Sequence, residues 1–415
     1  MSEKSVRDTR SPENSLPDGW RWVPLGHVCS IVARQVNPRQ PEYAELPHVS
    51  PEDIESGRCV LRPLKTAQED GMVSGKYLFE EGDVLYSKLR PYLRKVAVAN
   101  CRGVCSADMY PLRPKPDFAI AEYLAWLLVG DEFTRYAEAE SRRARMPKIN
   151  RDQLLAWKAA FPPIEEQRRI AAMLREQMAA VDRARVAGEA RLEAAKALST
   201  AYLRSLFEGR EAQEWPKRLL GEVAEIESGV TLGRKLRAGS TRAVPYLRVA
   251  NVKDGALDLS NVYSIEATTA EIGRLVLKRG DLLLTEGGDR DKLGRGTFWE
   301  EQLPECIHQN HIFRVRFDLT NFSSEFVSAQ IGSRYGKAYF LAHAKQTTGI
   351  ATINRKVLSG FPLMLPPLRE QQRIAAIVRE RVDRAGGVCA AAEAELAAIN
   401  ALPAALLRRA FSGAL

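Results

Sequence analysis

The sequence is short of most features that would place it outside the cell or make it an enzyme. No stretch approaches the roughly 20 consecutive apolar residues that span a bilayer, and the opening MSEKSVRDTRSPENS is polar and mixed in charge where a secretory leader has an apolar core. A soluble, cytoplasmic protein with no membrane partner is expected. Cysteine is scarce and scattered (Cys29, Cys59, Cys101, Cys105, Cys306, Cys389), too thin for a disulfide framework, and CRGVC has the wrong spacing for a metal or redox pair. A glycine-rich cofactor loop is missing. So is an Asn or Asp ahead of Pro-Pro-aromatic, the arrangement that holds an amino group for methylation. The segment Gly229 to Lys235 has neither the glycine spacing nor the Ser or Thr of a phosphate-binding loop. Ser-His-Asp, HExxH and paired-carboxylate arrangements are absent. His308 and His311 form the one tight histidine pair, and without further ligands they read as loop or strand-edge residues, or as a polar contact to nucleic acid, before they read as zinc ligands.

What is present is ample core material and an excess of positive charge. The 415 residues are 45% hydrophobic and 27% charged, enough for two or three domains. The net charge of +9 suggests a polyanionic partner, although a total says nothing about clustering.

Self-comparison is more informative, because a long-period repeat determines architecture before any local reading. PPIEEQRRIAA from Pro162 matches PPLREQQRIAA from Pro366 at eight of eleven positions, 204 residues apart. The same spacing relates KIN (Lys148 to Asn150) to TIN (Thr352 to Asn354), Leu154 to Leu358, and Phe207-x-Gly209 to Phe411-x-Gly413. Nearer the start of each half, Trp20, Leu25 and Gly26 match Trp215, Leu220 and Gly221 at a spacing of 195, and Gly82-Asp83 matches Gly280-Asp281 at 198. Two variable units therefore alternate with two nearly constant ones. The resulting boundaries are 1–155 and 213–360 for the variable units, with 156–212 and 361–415 for the constant ones.

Each constant unit reads as one long helix, opened by Pro-Pro and an acidic first turn and closed by a glycine just beyond Phe207 or Phe411. Steps of four and three along the first give Leu174, Met178, Val181, Arg185, Gly188, Leu192, Ala195, Ser199, Tyr202 and Leu206. The second gives Val378, Val382, Ala385, Cys389, Ala392, Leu396, Ile399, Pro403, Leu406 and Ala410. These imperfect heptads predict an antiparallel coiled coil whose small residues allow close approach. Gly386, Gly387 and Pro403 predict a local kink or fray in the second helix. Helices of about 65 Å would act as spacer rods and set the variable units at opposite ends in a pseudo-two-fold arrangement. The fold class expected is α+β.

Within the variable units, Val84 to Tyr86, Leu282 to Leu284 and Val96 to Ala99 read as strands, and Ile120 to Leu128 and Phe326 to Tyr335 as helices. Between the two strands of the first unit, Lys88, Arg90, Arg94 and Lys95 surround Tyr92, a pattern suited to phosphate anchoring with stacking or base-edge contact. The matching segment of the second half, Thr285 to Arg295, carries Arg290, Lys292 and Arg295. A second basic cluster, Arg142, Arg143, Arg145 and Lys148, corresponds to Lys345 and Gln346. Arginine and glutamine are residue types that bond guanine and adenine edges in two places.

Two variable domains, each followed by a Pro-Pro-x-x-Glu-Gln-x-x-Ile helix and a closing Phe-x-Gly, resemble the DNA-specificity subunit of type I restriction-modification enzymes over nearly the whole chain. The resemblance implies target-recognition domains that each read half of a split site on double-stranded DNA. It implies helices that form the spacer and bind two modification subunits, and restriction subunits that join the larger complex. S-adenosylmethionine and ATP would bind those partners, leaving this chain without cofactor or catalytic residues. The competing readings are a stand-alone methyltransferase or nuclease, and a coiled-coil adaptor that binds only protein.

Overall fold

The computed structural model describes residues 16–141, 147–234, 241–288, 293–347 and 350–412. The chain divides into two compact units, residues 1–189 with 395–415 and residues 190–394, so each long helix contributes one half to each unit.

In the first unit a four-stranded antiparallel sheet runs in the order Cys29–Ile31, Met109–Pro114, Val84–Ser87, Val96–Val98. Val84–Ser87 is buried along its whole length because it separates two cores. Val84 and Tyr86 enter one core, with Tyr123 and Phe133, and Leu85 enters the other, with Val49, Phe79 and Met109. That split follows from the two-residue period of a strand. The second unit repeats the order with Ala224–Ser228, Ile312–Phe317, Leu282–Thr285 and Gly296–Phe298, and Leu282 and Leu284 again face away from Leu283. Ahead of each central strand a glycine turns the chain at positive φ, +85° at Gly82 and +87° at Gly280, where a side chain would be strained.

Both long helices form over the expected residues, Ile164–Phe207 and Leu368–Phe411. The repeated glutamine explains the Glu-Gln motif. Gln167 is completely buried, donates to the carbonyls of Phe118 and Pro162 (both 2.9 Å), and accepts from the amide of Ile120 (3.1 Å). Gln371 does the same toward Pro366 (2.8 Å) and the amide of Ser323 (3.0 Å). Each glutamine thus fastens the first turn of a long helix to the start of a domain helix.

The pairing is antiparallel within each unit. In the first, Ile170, Ala171 and Leu174 share a core with Leu407 and Ala410, while Gly188 lies against Leu396 and Ile399. In the second, Phe207 shares a core with Ile374 and Val378, and the Arg381 guanidinium stacks 4.2 Å from the Tyr202 ring centre. Of the twenty seam positions, Val382 alone is classed exposed, at 41%. Arg185 is tolerated because its guanidinium turns to Glu189 at 2.8 Å.

Three expectations need correction. The second helix does not fray: helical structure runs unbroken through Gly386, Gly387 and Pro403. The helix read over Phe326 to Tyr335 is two helices, Ser324–Gly332 and Arg334–His343, parted at Ser333, whose hydroxyl donates to the Gln330 carbonyl at 2.6 Å. And Leu368–Phe411 does contain an 18-residue window of mean hydropathy 1.3, long and apolar enough by composition to cross a membrane, with 11% of it buried. Its many alanines raise the mean without forming a continuous run of large apolar side chains.

Candidate nucleic-acid interface

The loop after Val84–Ser87 meets the described end of the second basic segment, at Lys148. Leu89 bridges Lys148, the Arg90 amide donates to the Pro147 carbonyl (2.9 Å), and the Ile149 amide donates to the Lys88 carbonyl (3.1 Å). The second unit builds the same junction with different loop side chains. Gly287–Gly288 pairs with Ile350–Thr352, which pairs in turn with Lys345–Thr347, and the Ile353 amide donates to the Glu286 carbonyl at 2.8 Å. Ile149 and Ile353 stand 204 residues apart, Lys88 and Glu286 198 apart, so the repeat detected in sequence is repeated in hydrogen bonding. Each unit therefore presents a loop after its central strand, laced to the segment that leads into an asparagine-capped helix. Asn150 accepts from the Gln153 amide and Asn354 from the Val357 amide, both at 2.9 Å.

The loop side chains divide by role. Arg90, at positive φ, and Tyr92, 51% exposed, stand at the surface, as does Lys148. Lys88, Arg94 and Lys95 differ from expectation because the domain uses them internally. Lys88 is 8% exposed, donates to the Ala107 carbonyl and lies 5.1 Å from the Tyr110 ring centre. Burial, followed by the nearby Lys148, lowers its pKa from the usual lysine range, with Asp108 acting in the opposite sense. Lys95 donates to the Ile54 carbonyl. Arg94 donates to the Val129 carbonyl (3.3 Å) and pairs with Asp131 (2.8 Å). These three shape the loop and hold Arg90 and Tyr92 outward.

In the second unit Lys345 is exposed, and Arg295 is partly buried with its Nε unpartnered among the described residues. Gln346 sits in the strand Lys345–Thr347. Arg142, Arg143, Arg145, Arg290 and Lys292 lie outside the described residues. Sequence reading missed Arg151 and Arg355, both exposed and both the first residue of the capped helix beside the junction. The signal was available: KIN and TIN are each followed by arginine, so the repeat extends one residue further. The histidine pair separates. His308 is completely buried, with Nδ1 3.0 Å from the Ile312 carbonyl oxygen, whereas His311 is exposed and donates from Nδ1 to Glu286 at 2.6 Å.

Each unit also has a groove where its long helix leaves the domain. One of 660 Å³ is lined by Trp126, Ala171, Ala172 and Arg175, and one of 310 Å³ by Trp299, Ala375, Ala376 and Arg379. The alanine and arginine positions correspond at a spacing of 204.

Twin mixed α/β domains with matched but chemically unlike loop junctions, each built onto halves of two long helices, define a modular two-reader binding protein. Comparison with known proteins agrees. The model of the type I restriction modification DNA specificity domain matches residues 17–182 and 212–384, and the chain belongs to that family. It is 30% identical to the EcoDI specificity subunit of Escherichia coli over 57% of this chain and 52% of that protein. Against the EcoKI specificity subunit of Escherichia coli K12 it is 23% identical over 96% of this chain and 90% of that protein. The crystal structure of the HsdS subunit from Thermoanaerobacter tengcongensis shares the fold, with a TM-score of 0.65 at 22% identity over 97% of this chain and 99% of that one. A chain solved in a study of complex assembly and conformational transition of the type I system reaches 0.76 at 23% identity, covering 97% and 100%.

Proposed function

We propose that the chain reads a bipartite site on double-stranded DNA, one domain for each half, and holds two modification subunits that methylate adenine, with restriction subunits joining the complex in the cytoplasm. S-adenosylmethionine and ATP bind the partners and not this chain. The observation that carries the reading is the doubled junction: two loops in one backbone arrangement display different side chains, which is what two readers of different half-sites need. Arg90, Tyr92, Arg151 and Lys148 in the first domain, and Arg295, Lys345, Gln346 and Arg355 in the second, are the proposed contacts. Arg142, Arg143, Arg145, Arg290 and Lys292 lie on the same loops in sequence and belong to the proposal as phosphate or base contacts. Lysine and arginine supply salt-dependent affinity through phosphate, and base-edge contacts supply discrimination. The twin grooves at Ala171 and Ala375 support docking of a partner present in two copies.

The test is an exchange. Replacing residues 1–155 by those of another family member should change one half of the methylated sequence and leave the other half and the gap between them intact. A simultaneous change of both halves would refute independent readers.

A further inference from the structure

Corresponding positions in the two junctions carry opposite chemistry. In the first domain the Lys88 amide donates to the Asp108 carbonyl (3.0 Å); in the second the Glu286 amide donates to the His311 carbonyl (2.9 Å). The flanking strand pairs, Ser87 with Met109 and Thr285 with Ile312, fix the equivalence. Lys88 and Asp108 are thus replaced by Glu286 and His311, and the acidic member changes strand. The side chains are also used differently. Lys88 turns inward to the Ala107 carbonyl, whereas His311 is 55% exposed and Glu286 32% exposed, with the two joined at 2.6 Å.

A carboxylate on this surface makes no sense as a phosphate contact, because like charges repel. It does make sense as a holder. A carboxylate only accepts, so the His311 Nδ1 is the donor of that bond, and in the neutral ring Nε2 is left as an acceptor. The pair therefore presents acceptors: Nε2 and the remaining carboxylate oxygen. In the major groove the hydrogen-bond donors are the amino groups of adenine N6 and cytosine N4. We propose that His311 is a base-reading residue of the second domain, accepting from the amino group of an adenine or a cytosine, and that Glu286 is its positioning residue. This rests on the reading of the junctions as the DNA interface. It goes beyond that reading in assigning to one position a base class that the first domain, with its inward lysine, does not read the same way.

The experiment uses the full chain assembled with its modification subunits. The recognised site is first mapped from adenine methylation in the host genome. Binding is then measured to that duplex and to every single base-pair variant of it. For His311→Ala the expected result is a loss of discrimination of about tenfold at one base pair of one half-site, the preferred base there carrying an amino group, with the other half-site unaffected; tenfold corresponds to roughly 1.4 kcal/mol. Glu286→Gln keeps the shape but weakens the hold on the ring, and it should relax the same base pair by a smaller factor. Because His311 is exposed, its replacement leaves the core intact, and unchanged binding at the other half-site confirms this internally. An unchanged ranking of all variants by His311→Ala, in a complex whose parent prefers the mapped site, would overturn the inference and leave the broader reading standing. A parent complex without any preference for the mapped site would overturn both.

Discussion

Arg113 donates two hydrogen bonds to Asp83, Nε to Oδ1 and Nη2 to Oδ2, each at 2.8 Å, while the carboxylate, 1% exposed, also accepts from the Glu80 amide at 2.9 Å. Arg316 and Asp281 repeat the arrangement at 2.7 and 2.6 Å, with the Lys278 amide as the third donor at 2.8 Å. The aspartate of each Gly-Asp turn therefore fixes the strand that ends at the junction loop.

Removing the arginine of such a pair leaves the aspartate buried and unpaired. Arg113→Ala should destabilise the first unit by about 3 kcal/mol, the order measured for broken buried pairs, and Arg316→Ala the second unit similarly. Arg113 is half-exposed and can find water when its partner is removed, so Asp83→Ala should cost less than Arg113→Ala. Urea denaturation of the single variants checks the order; an equal cost for both would contradict the asymmetry.

Gln167 completes three hydrogen bonds without access to water. Gln167→Ala strands the Ile120 amide and the carbonyls of Phe118 and Pro162, at about 1–3 kcal/mol per stranded group before relaxation. Gln167→Glu keeps the acceptor toward the Ile120 amide but loses both N–H donors. Hydrogen exchange at Ala121–Val129 should rise in both variants, and at least as much in the glutamate variant, whose buried carboxylate faces two carbonyl oxygens. Protection equal to that of the unaltered chain would show that the glutamine does not hold the domain to the helix.

His308 is buried beside Arg314, and burial first, then that cation, lowers its pKa to about 4 from an ordinary value of 6.5. Below pH 6.5 the unfolded imidazole takes a proton that the folded one refuses until near pH 4. Stability of the second unit should therefore fall as the pH drops through this window, by about 3 kcal/mol in all, and level off beneath it. His308→Gln removes the titrating group. Its unfolding free energy, followed by exchange at Ile307–His308, should lose this acid-side slope. A slope identical to that of the unaltered chain would exclude His308 as its source.

The sequence was most legible where a repeat coincided with a periodicity. Pro162-Pro163 and Pro366-Pro367 marked the helix starts because proline fits a helix start, where its missing N–H has no bond to lose, and heptad spacing found the seam because one helix face must be covered along its length. The loop residues were harder to read. Lys88, Arg94 and Lys95 are basic in sequence, yet their partners Ala107, Val129, Asp131 and Ile54 lie 19 to 41 residues away along the chain. No local pattern reveals that a cation is spent on a distant carbonyl. Val382 failed for a similar reason: a seam position needs a facing residue as well as a register, and nearby Arg381 covers Tyr202 instead.

Arg151 and Arg355 provide the last test, since they are placed alike in two domains that otherwise differ. Each opens a capped helix beside a junction, and neither makes a side-chain hydrogen bond among the described residues. Equivalent residues of one type suit a contact that carries no sequence information, namely phosphate. Arg151→Ala and Arg355→Ala in the assembled complex should each weaken binding to specific and random duplex by a similar factor. Each should lower the slope of log affinity against log salt by about one, and the double variant by about two. The recognised sequence should not change. A loss confined to the specific duplex, with an unaltered salt slope, would instead make these arginines base readers and remove the distinction drawn between the two domains at His311.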